Sequence, residues 1–423
     1  LETVKPQQLD QMPAATMNLD YYNNVDVNKV ITMKYGTKKQ SMFFGCGAIE
    51  KFATILETVK PSCVGFITSK SAYHRCGAWA PIEKALTAAG VPHILYNKIV
   101  TNPTCTSIDE CVGLFREKYD ENFMVCSIGG GSPGDAAKSV AVLLEHSDKT
   151  AKALYKGEFA PEKRAQLTMV NITAGTGTEC DMFAVASILD EEIPLKPVLA
   201  SPVIYPDFSI NDPTLLASTS AFQTRFTAID ALNHVTEATT TSIATPWSTT
   251  LGVEVANLVY HFLPRALENP KDMVARYWLH YAAALGGMAF DESLLHITHA
   301  AEHTLSAYVT DLTHGLGLAL IQPGVIRHIW PVSGVTLCHV LRPMLPGLTG
   351  APEEAQQAFD LMRKWHESVG VTETMETIGY TKEDIPKLVA GTLACPGMEG
   401  LMGLCPVPFA APELEKLYAS GFY

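Results

Sequence analysis

The sequence has no C-x-x-C pair, no run of basic residues and no apolar stretch approaching the roughly 18 residues a membrane span needs. Each absence removes a class of protein. Ten cysteines scattered from Cys46 to Cys405 along a long chain do not form a disulfide framework or a thiolate zinc site. They read instead as reduced, mostly buried thiols, which suits the cytoplasm. Charge is sparse, at 18% of residues, and the net value of −13 argues against nucleic acid or an anionic membrane surface as the main partner. The opening stretch "LETVKPQQLDQMPAATMNLDYYNN" lacks the charged and apolar regions of a secretory signal, and it lacks an initiating Met. Residues 1–16 are expected to be a processed, foreign or flexible arm.

What is present is apolar bulk. The hydrophobic fraction is 47% over 423 residues. That fits a globular protein of two domains, on a prior of roughly 150 residues per domain.

The first half alternates short β-rich runs with helical patterns. "CVGFIT" (63–68), "HILYNKI" (93–99) and "FMVCSI" (123–128) read as strands, and "LTMVNIT" (167–173) and the stretch 184–210 continue the series. Helical patterns fall between them, at 76–90 (ended by Gly90) and at 106–119. Such alternation predicts a mainly parallel sheet with helices on both faces. From about Pro213 the periodicity is helical almost throughout, punctuated by proline at 246 and 264. The reading is an α/β domain over 1–212 and an all-helical domain over 213–423.

"SIGGGSPGDAAKSVAVLL" (127–144) joins a strand to a helix. Gly129, Gly130 and Gly131 allow close backbone approach and positive φ. Ser132 and Asp135 are placed to cap the helix, whose free N–H groups suit a phosphate. Gly129, Gly131 and Gly134 satisfy G-x-G-x-x-G, but no acid-ended strand follows about 20 residues later, and a pair of βα units precedes the loop. The loop therefore reads as a phosphate seat in a different topology. A second polar turn, "NITAGTGTEC" (171–180), offers Thr173 and Thr176 at the end of a neighbouring strand.

The helical half crowds histidines. Asp230 and His234 are four apart, as are His299 and His303, so each pair shares a helix face. His314 stands just before Gly315, at the expected start of another helix. Asp230, His234, His299 and His314 together offer three imidazoles and a carboxylate, a set suited to Zn²⁺ or Fe²⁺. Taken alone, Asp230 and His234 also read as a salt-bridged helix pair, and His296 as a residue covering the helix surface.

"GGGSPGDAAK" (129–138), "TAGTGTE" (173–179), "DALNHVTE" (230–237) and "HAAEHTL...THG" (299–315) occur in order, with smaller echoes in "FFGCGA" (43–48) and "NPT" (102–104). In these motifs the sequence resembles the iron-dependent (group III) alcohol dehydrogenases. The resemblance implies an N-terminal nucleotide-binding α/β domain, an all-helical metal domain, and an active site between them. It implies that Asp230, His234, His299 and His314 hold a divalent metal and that His303 lies beside substrate and nicotinamide. It puts Asn102, Ser132, Asp135, Thr173, Thr176 and Lys196 near the cofactor, Phe183 in the substrate pocket, and the chain in a homodimer or larger homo-oligomer. Two departures stand out. The His299–His314 gap is one residue longer than the usual form. The first-strand turn is "ITSKS", with Ser69 where NAD-preferring members carry Asp. NAD is the expected cofactor and NADP the alternative, because Lys70 can welcome a 2′-phosphate.

The expected reaction is reversible hydride transfer between this cofactor and a small alcohol or aldehyde of about C1–C4, including a polar or anionic one such as sulfoacetaldehyde or lactaldehyde, with the metal as Lewis acid. His303 is the candidate proton relay. A rival reading is a dehydroquinate-synthase-like, NAD- and metal-dependent lyase. It would need a basic lining for a phosphorylated acid, and Arg225 is the lone nearby Arg upstream of the histidine region. A third is a metal-binding or NAD-sensing scaffold without turnover.

Overall fold

The computed structural model describes residues 17–38 and 40–423. The expectation for residues 1–16 lies outside them. Nine strands occur among the described residues: β1 (Ile31–Tyr35), β2 (Gln40–Phe44), β3 (Val64–Thr68), β4 (His93–Tyr96), β5 (Met124–Gly129), β6 (Gln166–Asn171), β7 (Phe183–Val185), β8 (Val198–Ala200) and β9 (Phe208–Asn211). Seven build one sheet in the order β1-β2-β9-β6-β5-β3-β4. Only β1 and β2 pair antiparallel in it.

β3 and β5 are buried at every position. Continuous apolar strands suit the centre of a sheet covered by helices on both faces, and two apolar clusters lie on this sheet. The strand order reverses between β3 and β5, because the chain runs outward to β4 and then returns to the other side of β3. Open α/β sheets bind ligands at such a point, beyond the carboxyl ends of the strands.

Two features differ from the sequence reading. The edge hairpin β1–β2 was not anticipated, since its strands are short and lie outside the βα alternation. The stretch 184–210 does not simply extend the sheet. β7 and β8 pair with each other as a separate hairpin, and only β9 enters the main sheet, between β6 and β2.

No strand follows Asn211 among the described residues. Six helices carry or surround the site: α1 (Gly131–Glu145) from the α/β half, then α2 (Ala221–Ala238), α3 (Pro246–Glu268), α4 (Met273–Ser293), α5 (Ile297–Tyr308) and α6 (His314–Val340). Pro264 does not end a helix but lies inside α3, while Pro246 starts it. α2 begins at Ser220, whose hydroxyl accepts the Gln223 N–H. Every residue from Ala228 to Ala238 in α2, and from Ile297 to Ala307 in α5, is buried. Helices buried all round run through the middle of a bundle, so their polar side chains must find partners inside it. The bundle's apolar core continues onto the hairpin, where Phe44 meets Tyr277 edge-on at 4.8 Å.

Candidate metal and dinucleotide site

The two polar turns lie against each other. A side chain at Gly130 would stand 2.5 Å from Thr173 Oγ1, and one at Gly131 would stand 2.7 Å from Thr176 Cγ2. The glycines are needed for this contact, and none of Gly129, Gly130 and Gly131 has a positive φ. Ser132 and Asp135 do not cap α1, whose N-cap is Gly130. Ser132 Oγ accepts the Asn102 N–H at 3.2 Å. Asp135 accepts the Thr178 hydroxyl at 2.8 Å and the Val185 N–H at 3.1 Å, and burial pushes its carboxyl up to about 6. Both side chains therefore tie segments of the α/β half together. A cleft runs from Ser69 and Lys70 at the end of β3, past Gly129–Ser132, Thr173 and Thr176, to Asp230 and His314.

At that end of the cleft the helices α2, α5 and α6 converge. Asp230 Oδ1 lies 3.4 Å from His234 Nε2, 3.6 Å from His299 Nε2 and 3.8 Å from His314 Nε2. Asp230, His299 and His314 each place a donor atom within 4.8 Å of the others, and His234 stands just outside that triad. The His234 and His299 rings stack at 4.8 Å. Asp230 Oδ1 and His299 Nε2 are buried without a hydrogen-bond partner.

The far side of two rings is fixed by carboxylates. His299 Nδ1 is hydrogen-bonded to Glu237 Oε2, and His314 Nδ1 to Glu302 Oε2. A carboxylate on Nδ1 holds the proton there and turns the Nε2 lone pair inward, the usual arrangement behind metal-binding imidazoles. Asp230, Glu237 and Glu302 bring three negative charges, against which Lys196 supplies one positive. With neutral imidazoles, a divalent cation balances the remainder. The donor set, the orphaned inward atoms and the charge deficit all fit such an ion.

Burial opposes charge on Asp230, yet the three imidazoles hold it below the usual carboxylate range. Burial also opposes charge on His299, but Glu237 and Asp230 lift it to about 9, so an incoming cation displaces a proton there. His234 is pushed down to about 3 by burial. Burial, with Lys196 and His314 nearby, drives His303 well below its ordinary value and leaves that ring neutral. His314 has a side chain 24% exposed, whereas Asp230, His234 and His299 are at 5% or less, so the cluster opens to solvent on the His314 side.

Beyond the cluster lies a second cavity of about 150 Å³. Phe183, Val185, Val198, Phe290, Leu294 and Leu295 give it an apolar wall, and His303 and Lys196 also line it. Asn102, Gly131, Ser132, Thr176, Asp230 and His314 border both cavities. The histidine cluster thus sits where an apolar pocket meets the glycine-turn cleft.

The residues expected from sequence to hold metal, cofactor or substrate all lie along these two connected cavities. His296 departs from its reading as a surface cover. It is fully buried, with Nδ1 3.1 Å from Glu237 and Nε2 2.9 Å from the Thr240 hydroxyl. Sequence reasoning missed Glu237 and Glu302, although each lies within three residues of a chosen histidine. It also missed Leu401, which reaches the apolar wall from the last quarter of the chain.

Solved structures share this architecture. An archaeal halo-thermophilic alcohol dehydrogenase from a Red Sea brine pool superposes with a TM-score of 0.84 over 93% of this chain and 98% of its own, at 23% identity. The alcohol dehydrogenase of Oenococcus oeni does so at 0.81 over 93% and 100%, at 25% identity. The fold is therefore that of a two-lobed alcohol dehydrogenase. In sequence, residues 39–213 match the family "Iron-containing alcohol dehydrogenase" and residues 224–420 match "Fe-containing alcohol dehydrogenase family, C-terminal". The protein belongs to the iron-containing alcohol dehydrogenase family, and is an oxidoreductase. The long-chain primary alcohol dehydrogenase AdhA of Thermoanaerobacter ethanolicus is 42% identical over 94% of this chain and 99% of its own. The NADPH-dependent butanol dehydrogenase of Clostridium saccharobutylicum is 25% identical over 92% and 97%.

Proposed function

We propose that the protein interconverts uncharged primary alcohols and aldehydes by hydride exchange with a nicotinamide dinucleotide, using a divalent metal held by Asp230, His234, His299 and His314. The observation that carries this reading is the convergence of three Nε2 atoms on Asp230 Oδ1 where the apolar pocket opens onto the glycine-turn cleft. When bound, the ion supplies Lewis-acid stabilisation of the charge that grows on the substrate oxygen, worth several kcal/mol of barrier.

The chain's own residues do the rest. The Gly129–Ser132 turn, with Thr173 and Thr176, seats the pyrophosphate and so fixes the nicotinamide against the pocket. His303, neutral and with an unpartnered Nδ1, is available to take the alcohol proton. The apolar wall shields the reacting carbon from water.

The pocket lining selects against an anion such as sulfoacetaldehyde. Among the described residues its one cation besides the histidines, Lys196, is already bound to Asn102 and Ser306, and Asp135 and Asp181 stand in the same wall. The same feature disfavours the lyase reading, which needs free cations for a phosphorylated acid. AdhA is named for long-chain primary alcohols, and the apolar wall supports aliphatic chains here too.

The far end of the cleft is lined by Ser69, Lys70, Ser71 and Arg75, and among the described residues the only carboxylate along the cleft is Asp230 at the metal end. An acid at this strand end binds ribose hydroxyls and repels a 2′-phosphate. Its absence supports use of NADP(H) at least as well as the NAD(H) expected from sequence.

The test is a panel of neutral and anionic aldehydes with NADH and NADPH in parallel, run on protein of known iron and zinc content. Turnover of an anionic aldehyde in preference to butanal, or full activity in metal-free protein, overturns the proposal.

A further inference from the structure

One buried lysine in this region makes contacts that reach beyond the pocket it lines. Lys196 comes from the loop between β7 and β8 and lines the apolar pocket. It donates to Asn102 Oδ1 at 2.8 Å and Ser306 Oγ at 2.7 Å, and lies 3.7 Å from Glu302 Oε2. Ser306 Oγ is itself 3.3 Å from that same carboxylate oxygen. Glu302 is fully buried, its Oε1 has no partner, and its Oε2 holds His314 Nδ1.

Asn102 completes the connection. Its Nδ2 donates to the carbonyls of Thr310 and Leu312, both at 3.0 Å, in the loop that delivers His314. Its own N–H binds Ser132 in the glycine turn. Its backbone is left-handed, at φ +55°, a conformation that Asn tolerates and that surrounding structure must enforce. An unbroken chain of polar contacts therefore runs from Ser132 through Asn102, Lys196 and Glu302 to His314.

We propose that Asn102 and Lys196 form a clamp from the α/β half that positions the metal ligand His314, and so links the dinucleotide seat to metal retention. Both are positioning residues, acting through Glu302 and the 310–312 loop. Lys196, 3.7 Å from Glu302 Oε2, and Ser306, 3.3 Å from the same oxygen, brace that carboxylate. Glu302 Oε2 in turn holds His314 Nδ1, which leaves Nε2 facing Asp230. The coupling is reciprocal, because whatever steadies Asn102 from the glycine turn also steadies His314.

The inference rests on the proposed metal site, and the experiment separates the two. Iron or zinc release to a chelator is followed in the full-length protein, with and without NADPH. The parent, His314→Ala, Lys196→Met, Lys196→Arg and Asn102→Gly are compared, with the melting temperature of each metal-free protein as a fold control. Lys196→Met is expected to weaken metal affinity about tenfold, the low end for loss of a group behind a ligand. It should also abolish the slowing of release by NADPH while leaving the metal-free melting temperature within a degree or two. Lys196→Arg should restore part of both effects. Asn102→Gly keeps the backbone conformation and should cost less affinity but remove the NADPH effect. If His314→Ala weakens metal binding while Lys196→Met retains metal and NADPH coupling within twofold of the parent, the clamp is overturned and the metal site stands. If His314→Ala leaves metal binding unchanged, both are overturned.

Discussion

The two walls of the cleft are made of different materials. On the α/β side the wall is backbone and hydroxyl, with Gly129–Ser132 against Thr173 and Thr176. On the helical side it is buried charge, with Asp230, Glu237 and Glu302 set against imidazoles and, from the other half, Lys196. The first wall is shaped by close packing, and its parts lie within short turns. The second is held by electrostatics in a desolvated interior, where removing one charge leaves its partner uncompensated. The comparison teaches that damage to the helical wall should strike metal and chemistry together, while damage to the glycine and threonine turns should strike cofactor affinity first and reach the metal only through Asn102 and Lys196.

Four changes can break or sharpen that contrast. His234→Ala is expected to lower turnover about a thousandfold with loss of bound metal, while dinucleotide affinity stays within a fewfold. Metal analysis and nicotinamide fluorescence titration read the two separately, and equal loss of both would erase the distinction between the walls. Gly130→Ala puts a methyl 2.5 Å from Thr173 Oγ1. Overpacking of about 1–3 kcal/mol should weaken NADPH binding roughly ten- to hundredfold with metal content unchanged.

His280 on α4 bridges the walls, with Nε2 3.2 Å from Asn171 Nδ2 at the end of β6. Burial lowers it from 6.5 to about 3, so the unfolded chain binds the extra proton and stability falls as pH drops from 6.5 toward 3. Near pH 5 this amounts to about 2 kcal/mol. His280→Gln keeps an acceptor and should flatten the acid limb of a denaturant–pH series by about that much. An unchanged limb would remove the bridge from the account. Lys70→Ala should raise the KM for NADPH about threefold and leave NADH unaffected, in keeping with one exposed charge near a phosphate. A parallel loss for NADH would show that Lys70 has no preference for the 2′-phosphate.

Much of this was legible from the residues because it is local. The i, i+4 pairs placed Asp230 with His234, and His299 with His303, on single helix faces, and His314 does open a helix. Gly90 ends its helix with φ +66°. The illegible parts were relations between distant segments. The glycines at 130 and 131 are explained by Thr173 and Thr176, some forty residues on, rather than by their own turn. Glu302 looked like a bystander between two histidines until folding set it behind His314. Ser132 and Asp135 had the chemistry of helix caps, but other segments took their hydrogen bonds.

The sequence by itself determined which donors exist and on which helix face each stands, because helical periodicity is a property of neighbouring residues. Only the tertiary structure decided that three Nε2 atoms meet one aspartate oxygen, that two glutamates stand behind the rings, and that a lysine from the other half balances one of them. Such meetings join segments up to about a hundred residues apart. They are set by how buried helices pack and by the need to partner every buried charge.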